Sequence, residues 1–336
     1  MKMDKYARQM LFPFIGENGQ KKLVNSSVVV VGVGALGTVI SNQLVRAGVG
    51  SLTIVDRDYV EMTNLHRQIL FDETDVKHAL PKAIAARNKL RQINSDVSIE
   101  AFVTNVTKDN IYQFIENVDV VLDGTDNFAT RFLLNDICFK ENIPFSYGGV
   151  VGSRGMTALF IPGETPCLRC ITNNNHDTGH TCDTVGVISP AVDIVSSMQV
   201  TETLKYLTDH KDHLRHTMYT FDLWLNQTYH FKFSAVNEEC PTCAKRLFPA
   251  LRQNMGENEM TLCGRNTVQI HIRNEMNISL LEKKLEKVAT IQKTPFLLKA
   301  SFDNIQFVIF PDGRVLIQGT EDHIFARTMY DRYIGS

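Results

Sequence analysis

The sequence lacks the long apolar run that a membrane-spanning or secreted chain carries. Its first residues, Met1 to Lys5, lack the apolar stretch of a secretory signal, and no stretch reaches the length of about 20 apolar residues needed to cross a bilayer. A strong charge bias is also missing, because 35 basic and 37 acidic residues leave a net charge of -2. These absences argue against a nucleic-acid or membrane partner and predict a cytoplasmic globular protein.

A disulfide framework is not expected either. The seven cysteines are an odd number in a chain without a secretion signal, so metal binding or thiol chemistry is the better expectation. Four of them form two C-x-x-C pairs, Cys167 with Cys170 and Cys240 with Cys243. Four thiolates suit a tetrahedral structural Zn²⁺ site that ties two distant segments together. A thioredoxin-like redox pair is the alternative, but it leaves the second pair unexplained.

The length of 336 residues predicts two domains, since a single core rarely grows that large. We place a larger domain, which carries both cysteine pairs, at residues 1–252. A small α+β domain at 260–336 follows a polar linker around 253–259. No metal or nucleophile constellation is evident in this small domain, and a docking or dimer-stabilising role is expected.

Strands and helices alternate through the first part of the chain. Val28 to Val31 predicts a strand, Ala35 to Ala47 a helix and Leu52 to Val55 a second strand. The alternation continues to a strand at Phe145 to Gly148, which predicts a Rossmann-like, doubly wound, mostly parallel sheet. Later strands predict an antiparallel extension of it. Residues 260–336 have the pattern of a strand, a helix, three strands and a final helix.

Gly32, Gly34 and Gly37 form a G-x-G-x-x-G motif between a predicted strand and a predicted helix. Such a loop lets the backbone approach a nucleotide, and the helix amino terminus favours its negative charge. Asp56, at the end of the next strand, is placed to accept hydrogen bonds from ribose hydroxyls. The motif alone fits NAD or FAD as well as ATP, and a tight turn without a ligand is the remaining alternative.

The loop has no P-loop lysine, so cations that neutralise phosphates must come from elsewhere in the chain. Arg67, Lys82 and Asp126 all follow predicted strands, at the edge where doubly wound sheets bind ligands. Asp126 is a candidate for Mg²⁺. Singly, the cations fit surface charges, and Asp123 or Asp126 fits a helix cap. Together they favour chemistry on phosphate.

The ordered series of motifs resembles the ubiquitin-activating-enzyme-like adenylyltransferases, the bacterial molybdopterin-synthase and thiamine-biosynthesis enzymes MoeB and ThiF. The resemblance covers about residues 4–248 and begins at Tyr6-Ala7-Arg8-Gln9. It continues through the glycine loop, Asp56, Asn64 to Gln68, Pro81-Lys82, Thr125-Asp126-Asn127 and the two cysteine pairs.

The resemblance implies a role for each matching residue. The glycine loop lies under ATP, Asp56 holds the ribose and Asp126 binds Mg²⁺. Arg8 of one subunit reaches into the site of the other, so a homodimer is implied. Phosphate contacts are implied for Asn64, Arg67, Gln68 and Lys82.

The implied reaction is attack by a carboxylate on the α-phosphate of ATP, which releases pyrophosphate and leaves an acyl-adenylate. Fixed cations reduce the repulsion between two anionic reactants and stabilise the developing charge. By the same resemblance, the carboxylate is the carboxy-terminal glycine of a small ubiquitin-fold sulfur-carrier protein. This carrier serves thiamine or molybdenum cofactor biosynthesis, with a cysteine desulfurase or another sulfur donor as a further partner.

Three cysteines lie outside the pairs. In the thiamine branch of the family the cysteine matching Cys182 forms a covalent link with the carrier, whereas the molybdopterin branch hands the adenylate to a separate donor. Cys182 is therefore either a covalent residue or an incidental loop thiol. Cys138 and Cys263 are expected to be ordinary buried side chains.

Two other classes of function stay open at this point. An NAD-dependent dehydrogenase shares the glycine loop and Asp56, but it has no need of Arg67, Lys82 and Asp126 together. A non-catalytic scaffold that binds a ubiquitin-like partner needs the fold alone. The intact charged set argues against both.

Overall fold

The computed structural model of the chain describes residues 3–172, 185–233, 236–252, 259–262 (backbone only), 266–272 and 275–335. The chain divides into two units, Met1–Gln253 and Asn254–Ser336. Among the described residues, no helix is both long enough and apolar enough to cross a membrane.

The first unit is built on a mixed sheet of eight strands. In chain order they are β1 (Ser27–Val31), β2 (Ser51–Val55), β3 (Ser98–Phe102), β4 (Val120–Asp123), β5 (Phe145–Val151), β6 (Arg154–Phe160), β7 (Thr217–Asp222) and β8 (Gln227–Lys232). Their order across the sheet is β3-β2-β1-β4-β5-β6-β7-β8. The first five strands pair in parallel and the last three add antiparallel, which confirms the predicted fold class.

Helices connect these strands and cover the sheet. In chain order they are α1 (Ala7–Met10), α2 (Gly16–Val24), α3 (Ala35–Ala47), α4 (Glu73–Lys77), α5 (Lys82–Ile93), α6 (Tyr112–Ile115), α7 (Phe128–Glu141), α8 (Leu168–Ile171), α9 (Ser189–Leu207) and α10 (Pro249–Arg252). Between β3 and β4 only residues 112–115 form a helix, α6. The Asn110 side chain accepts from the Thr107 amide at 2.8 Å and donates to the Asn105 carbonyl at 2.8 Å, which favours turns over helix at that point.

Strand β1 explains why the sheet is covered on both faces. Val28 and Val30 pack into one core with α3, α5 and α9, whereas Val29 and Val31 pack into the other with α7. Successive side chains of a strand point to opposite faces, so a run of four valines needs an apolar partner on each side. The run of β-branched residues therefore fixes β1 at the centre of the sheet.

The second unit is an antiparallel sheet with two helices. Its strands are β9 (Glu259–Leu262), β10 (Thr267–His271), β11 (Thr290–Lys293), β12 (Leu298–Ser301), β13 (Gln306–Ile309) and β14 (Arg314–Gln318), in the order β11-β12-β13-β14-β10-β9. Helix α11 (Ile278–Leu285) and helix α12 (His323–Tyr333) complete it. The expected pattern of one strand before the first helix and three after it is wrong. The described residues of this unit form two strands before the first helix and four strands after it. The two edge strands, β9 and β11, are short, and an edge strand can lack the apolar alternation that reveals a central one.

Candidate functional site

The candidate site lies at the carboxyl ends of the parallel strands. The chain runs from β1 to β2 and β3 on one side of the sheet and then returns to β4 on the other side of β1. In doubly wound sheets ligands bind where the strand order reverses in this way. Gly32 follows β1, Asp56 follows β2 and Asp123 ends β4. The point where the strand order reverses therefore brings together the glycine loop and two carboxylates.

The glycines of the loop have two different reasons to be glycine. Gly32 has a φ of +86°, and a methyl group at Gly37 would lie 1.9 Å from the Gly32 carbonyl oxygen. A methyl group at Gly124, after β4, would lie 2.3 Å from the same oxygen. These three positions are fixed by packing within the protein. Gly34 is not, because its added methyl would meet only the Gln68 amide nitrogen, at 3.8 Å.

The Asp56 carboxylate is hydrogen-bonded to the backbone of the glycine loop. Its carboxylate accepts from the Val33 amide at 2.6 Å and from the Asp58 amide at 2.7 Å. Burial raises the pKa of Asp56, and the nearby Lys82 ammonium opposes that rise. The predicted ribose contact is not tested by these bonds. They show in addition that Asp56 holds the loop backbone in place.

Lys82 is buried, not a surface charge. Its side chain is 3% exposed, and its ammonium lies 3.2 Å from an Asp58 carboxylate oxygen. Its backbone amide donates to the Asp58 carbonyl at 2.8 Å, which fixes the start of α5 beside the end of β2. The alternative interpretation of Lys82 as a solvated charge is therefore wrong. A lysine is seldom fully buried without a paired charge, and here Asp58 supplies it.

The segment after β2 carries the predicted phosphate contacts. Asn64 ends a 3₁₀ helix (Met62–Asn64), and its side-chain oxygen accepts from the Glu61 amide at 3.0 Å. Arg67 is half-buried and donates to the Thr63 carbonyl at 2.9 Å. Gln68 is 2% exposed, and its side-chain oxygen accepts no hydrogen bond from the described residues. A buried acceptor of this kind, beside Gly34, is suited to a ligand donor.

The loop after β4 is held by an ion pair that sequence reasoning missed. Asp123 is fully buried and accepts from the Thr125 amide at 2.9 Å, the Thr125 hydroxyl at 2.6 Å and the Arg131 guanidinium at 3.0 Å. Burial raises the pKa of Asp123, and the Arg131 charge opposes it. Arg131 also donates to the Thr125 carbonyl at 2.8 Å and to the Gly148 carbonyl at 3.1 Å. This side chain therefore clamps the loop onto β5.

Asp126, the predicted Mg²⁺ ligand, lies on that clamped loop and is exposed. The interpretation of Asp123 or Asp126 as a helix cap is wrong, because the Asn127 side chain caps α7 by accepting from the Thr130 amide at 2.8 Å. Arg8 is exposed on α1, and its predicted reach into a second subunit stays a prediction.

The four paired cysteines meet in one cluster. Cys167 lies 3.6 Å from Cys240 and Cys170 lies 3.3 Å from Cys243, sulfur to sulfur, and all four sulfurs lie within 4.8 Å of one another. A tetrahedral Zn²⁺ with thiolate ligands spaces its sulfurs about 3.8 Å apart, so the donor set fits this ion. The close contacts run between the two C-x-x-C pairs, which argues against a self-contained redox pair.

Burial affects the thiols of the cluster as well. It raises the pKa of Cys167, and it raises the pKa of Cys243 to about 12. A metal ion that binds these sulfurs therefore displaces protons. Of the remaining cysteines, Cys138 is buried as expected, whereas Cys182 and Cys263 lie outside the described residues.

Four polar residues near these features, three buried and one half-buried (Asp58), were not singled out from the sequence. For Arg131 a signal was available, since it lies three residues before the buried Leu134 and so on the inward face of α7. Gln199 of α9 gave none, yet its side chain bridges the Asp123 carbonyl at 3.0 Å and the Ser146 carbonyl at 3.1 Å. The other two are Asp58 and Asp136.

Comparison with known proteins was consistent with this geometry. The model of the ThiF family matches residues 6–242. A sulfur carrier protein ThiS adenylyltransferase of Bacillus subtilis is 44% identical over 335 residues, which cover 98% of this chain and 99% of that protein. A SAMP-activating enzyme E1 of Haloferax volcanii is 36% identical over 245 residues, covering 72% of this chain and 89% of that protein. The crystal structure of Escherichia coli MccB with ATP aligns with a TM-score of 0.62 at 21% identity, over 71% of this chain and 74% of that one, which shows a shared fold.

Proposed function

This chain belongs to the ThiF family, and we propose that it is an ATP-dependent adenylyltransferase that activates the terminal carboxylate of a small sulfur-carrier protein. Family membership follows from the match over residues 6–242 and confirms the resemblance inferred from the sequence. The Bacillus subtilis relative, similar over almost its full length, is itself a ThiS adenylyltransferase.

One observation carries the choice of ATP over a nicotinamide cofactor. Lys82 is buried beside Asp56, which holds the glycine loop, and Gln68 lies on the open side of that loop at Gly34. A buried cation at this place is suited to phosphate oxygens, whereas transfer of a hydride needs none. Arg67, half-buried on the same segment as Gln68, adds a second cation.

In the proposed reaction, a carboxylate oxygen of the carrier attacks the α-phosphorus of ATP. A carbon-linked oxygen–phosphorus bond forms, the bond between the α- and β-phosphates breaks, and pyrophosphate leaves with the electron pair. Lys82 and Arg67 offset the negative charge that builds up on the phosphate oxygens. Mg²⁺, with Asp126 as its protein ligand, neutralises further charge when it is bound.

The carrier is ThiS-like. The alignment with the Bacillus subtilis relative covers 98% of this chain and so includes the second unit. We propose that the enzyme acts in the cytoplasm, in thiamine biosynthesis or, as the alternative, in molybdenum cofactor biosynthesis. The proposal also includes a homodimer that exchanges Arg8, a structural Zn²⁺ on the four clustered cysteines, a cysteine desulfurase as sulfur donor, and a docking role for residues 260–336. Cys182 is the candidate for a covalent link to the carrier.

Isotope exchange between pyrophosphate and ATP, measured with and without purified carrier, tests the reaction. We expect exchange only when carrier is present. Lys82→Met should reduce it by about 100-fold or more. Lys89→Met is the matched control, because Lys89 lies on the same helix and is also ion-paired, at 2.5 Å from Asp72 and 2.8 Å from Asp75. It should keep the wild-type exchange rate.

Two outcomes would contradict the proposal. Hydride transfer to a nicotinamide without any exchange would identify a dehydrogenase. Tight binding of the carrier without exchange, in a protein that still binds it after Lys82→Met, would identify a scaffold.

A further inference from the structure

We propose that Asp136 is a positioning residue that couples the cysteine cluster to the nucleotide site through α7. The inference rests on the proposed function, since it concerns the affinity of the same site for ATP. Its basis is a row of buried polar side chains on α7, with Arg131 at one end and Asn135 and Asp136 at the other.

At the metal end, Asp136 is bonded to both cysteine loops. Its carboxylate accepts from the Arg169 guanidinium at 3.0 and 3.1 Å, inside the first C-x-x-C pair. It accepts from the Thr242 hydroxyl at 2.6 Å, inside the second pair. It also accepts from the Ala250 amide of α10 at 2.8 Å. One fully buried carboxylate therefore holds three separate segments around the cluster.

A second contact reinforces this end of the helix. The Asn135 side-chain oxygen accepts from the Leu168 amide at 2.8 Å, and the Asn135 amide donates to Asp136 at 3.2 Å. The Arg169 guanidinium lies 4.3 Å from the centre of the Phe132 ring. The first cysteine loop therefore contacts α7 at three positions, 132, 135 and 136.

At the nucleotide end, Arg131 clamps the loop that carries Asp126. It bonds Asp123 and the Thr125 carbonyl, and its guanidinium lies 5.2 Å and 5.3 Å from the ring centres of Phe128 and Tyr147. Arg131 precedes Asp136 by five positions, which is about 7.5 Å along a helix. A displacement of α7 at the cysteine loops is thus transmitted to the clamp over less than two turns.

The consequence concerns the fixed position of α7. While four thiolates hold one metal ion, the two cysteine loops are cross-linked and present Arg169 and Thr242 to Asp136 at fixed places. Loss of the metal, or of the Asp136 charge, releases α7 from that frame and loosens the Arg131 clamp on the loop that carries Asp126. ATP affinity is then expected to fall although no residue that touches the nucleotide has changed.

Three variants of the full-length chain test this coupling. Asp136→Asn keeps the side-chain shape but removes the charge that pairs with Arg169. Thr242→Val removes only one hydroxyl. If the Asp136→Asn protein does not fold, the Thr242→Val protein still tests the coupling. Asp222→Asn is the matched control. Asp222 is also buried and accepts from an arginine, Arg154 at 2.9 Å, and from backbone amides, but it lies on β7.

Three quantities are measured for each variant: zinc release to a chromogenic chelator, the dissociation constant of Mg-ATP by calorimetry, and the melting temperature. Asp136→Asn should release zinc about tenfold faster, and its dissociation constant for Mg-ATP should rise by about fivefold or more. Thr242→Val should change both in the same direction. Asp222→Asn should lower the melting temperature and leave zinc release and ATP binding unchanged.

The inference is overturned if folded Asp136→Asn and Thr242→Val proteins bind Mg-ATP as the wild type does. It is also overturned if Asp222→Asn weakens ATP binding as much, since general destabilisation is then sufficient. A wild-type protein that binds no Mg-ATP at all overturns the proposed function together with the coupling. Normal wild-type binding with unaffected variants overturns the coupling alone.

Discussion

The nucleotide edge of the first sheet and the cysteine cluster both bury polar side chains, yet the hydrogen bonds of these side chains are completed to different degrees in the two regions. At the cluster, Asp136 accepts five hydrogen bonds, from Asn135, twice from Arg169, from Thr242 and from Ala250. At the nucleotide edge, the Gln68 oxygen accepts none from the described residues, and Gly34 has open space beside it.

This difference separates a structural site from a binding site. Burying a polar group without a partner costs about 1–3 kcal/mol, so a stable fold keeps such groups where a ligand supplies the missing bond. At the cysteine cluster the Asp136 carboxylate is fully bonded within the protein, so the four sulfurs are the groups suited to bind a metal ion. The nucleotide edge keeps an unbonded acceptor, Gln68, beside Gly34, and a buried cation, Lys82, next to Asp56.

The largest expected effect tests the nucleotide edge, where the Gln68 oxygen accepts no hydrogen bond from the described residues. Asp126→Ala should reduce carrier-dependent pyrophosphate exchange by about 100-fold or more, because the charge that holds Mg²⁺ is lost. Its melting temperature should not change, since Asp126 is exposed. Asp119→Ala is the control, because Asp119 lies directly before β4, at the end of that strand opposite the Asp126 loop, and accepts from the Ser27 amide at 2.8 Å. Full exchange activity in Asp126→Ala would favour a scaffold over an enzyme.

The next prediction concerns the satisfied region. Cys240→Ser should release the metal and lower the free energy of unfolding of the first unit by about 3 kcal/mol or more. For a unit of this size that is a fall of about 6–12 °C in melting temperature. Cys138→Ala, in the same core but outside the cluster, should keep the metal. Metal analysis and calorimetry on both variants check this, and an unchanged melting temperature in a metal-free Cys240→Ser protein would contradict it.

Two glycines of one loop provide a smaller and more selective test. Gly37→Ala should destabilise the fold by about 1–3 kcal/mol, because the added methyl overlaps the Gly32 carbonyl. Gly34→Ala should leave the melting temperature near that of the wild type and weaken Mg-ATP binding, because its methyl occupies the ligand side. If both variants lose the same stability, Gly34 is required for packing, as Gly37 is, and not for ATP binding.

The smallest effect measures what a satisfied carboxylate contributes outside both regions. Hydrogen bonds from Ser153 and Arg154 hold the pKa of Asp222 below its ordinary value of 3.8. A lowered acid pKa contributes stability that is present above the ordinary value and is lost as the pH falls through the folded-state pKa. Asp222→Asn should therefore be less stable than the wild type at neutral pH, with a gap that narrows below about pH 4 in urea titrations. A gap independent of pH would rule out this charge as its source.

Much of the fold was predictable because it depends on local patterns. The valine run of β1, the glycine loop and the alternation of strand and helix each constrain the backbone within a few residues, and together they predict the parallel sheet. The number of strands in the second unit was not predicted correctly, for the opposite reason. An edge strand is stabilised by pairing with a neighbour far along the chain, and its own residues carry little signal.

The residue types at the nucleotide edge and in the cysteine pairs were readable from spacing, since C-x-x-C and G-x-G-x-x-G are local geometries. Spacing did not reveal the partners that bury them: Asp58 for Lys82, Arg131 for Asp123, and Asp136 for two cysteine loops that lie some seventy positions apart. A charged side chain at an inward helix position does not by itself predict its partner, because the residue of opposite charge can lie far along the chain. That encounter depends on the packing of α7 and α5 against the sheet, because desolvation makes the pairing obligatory only once the helices are buried.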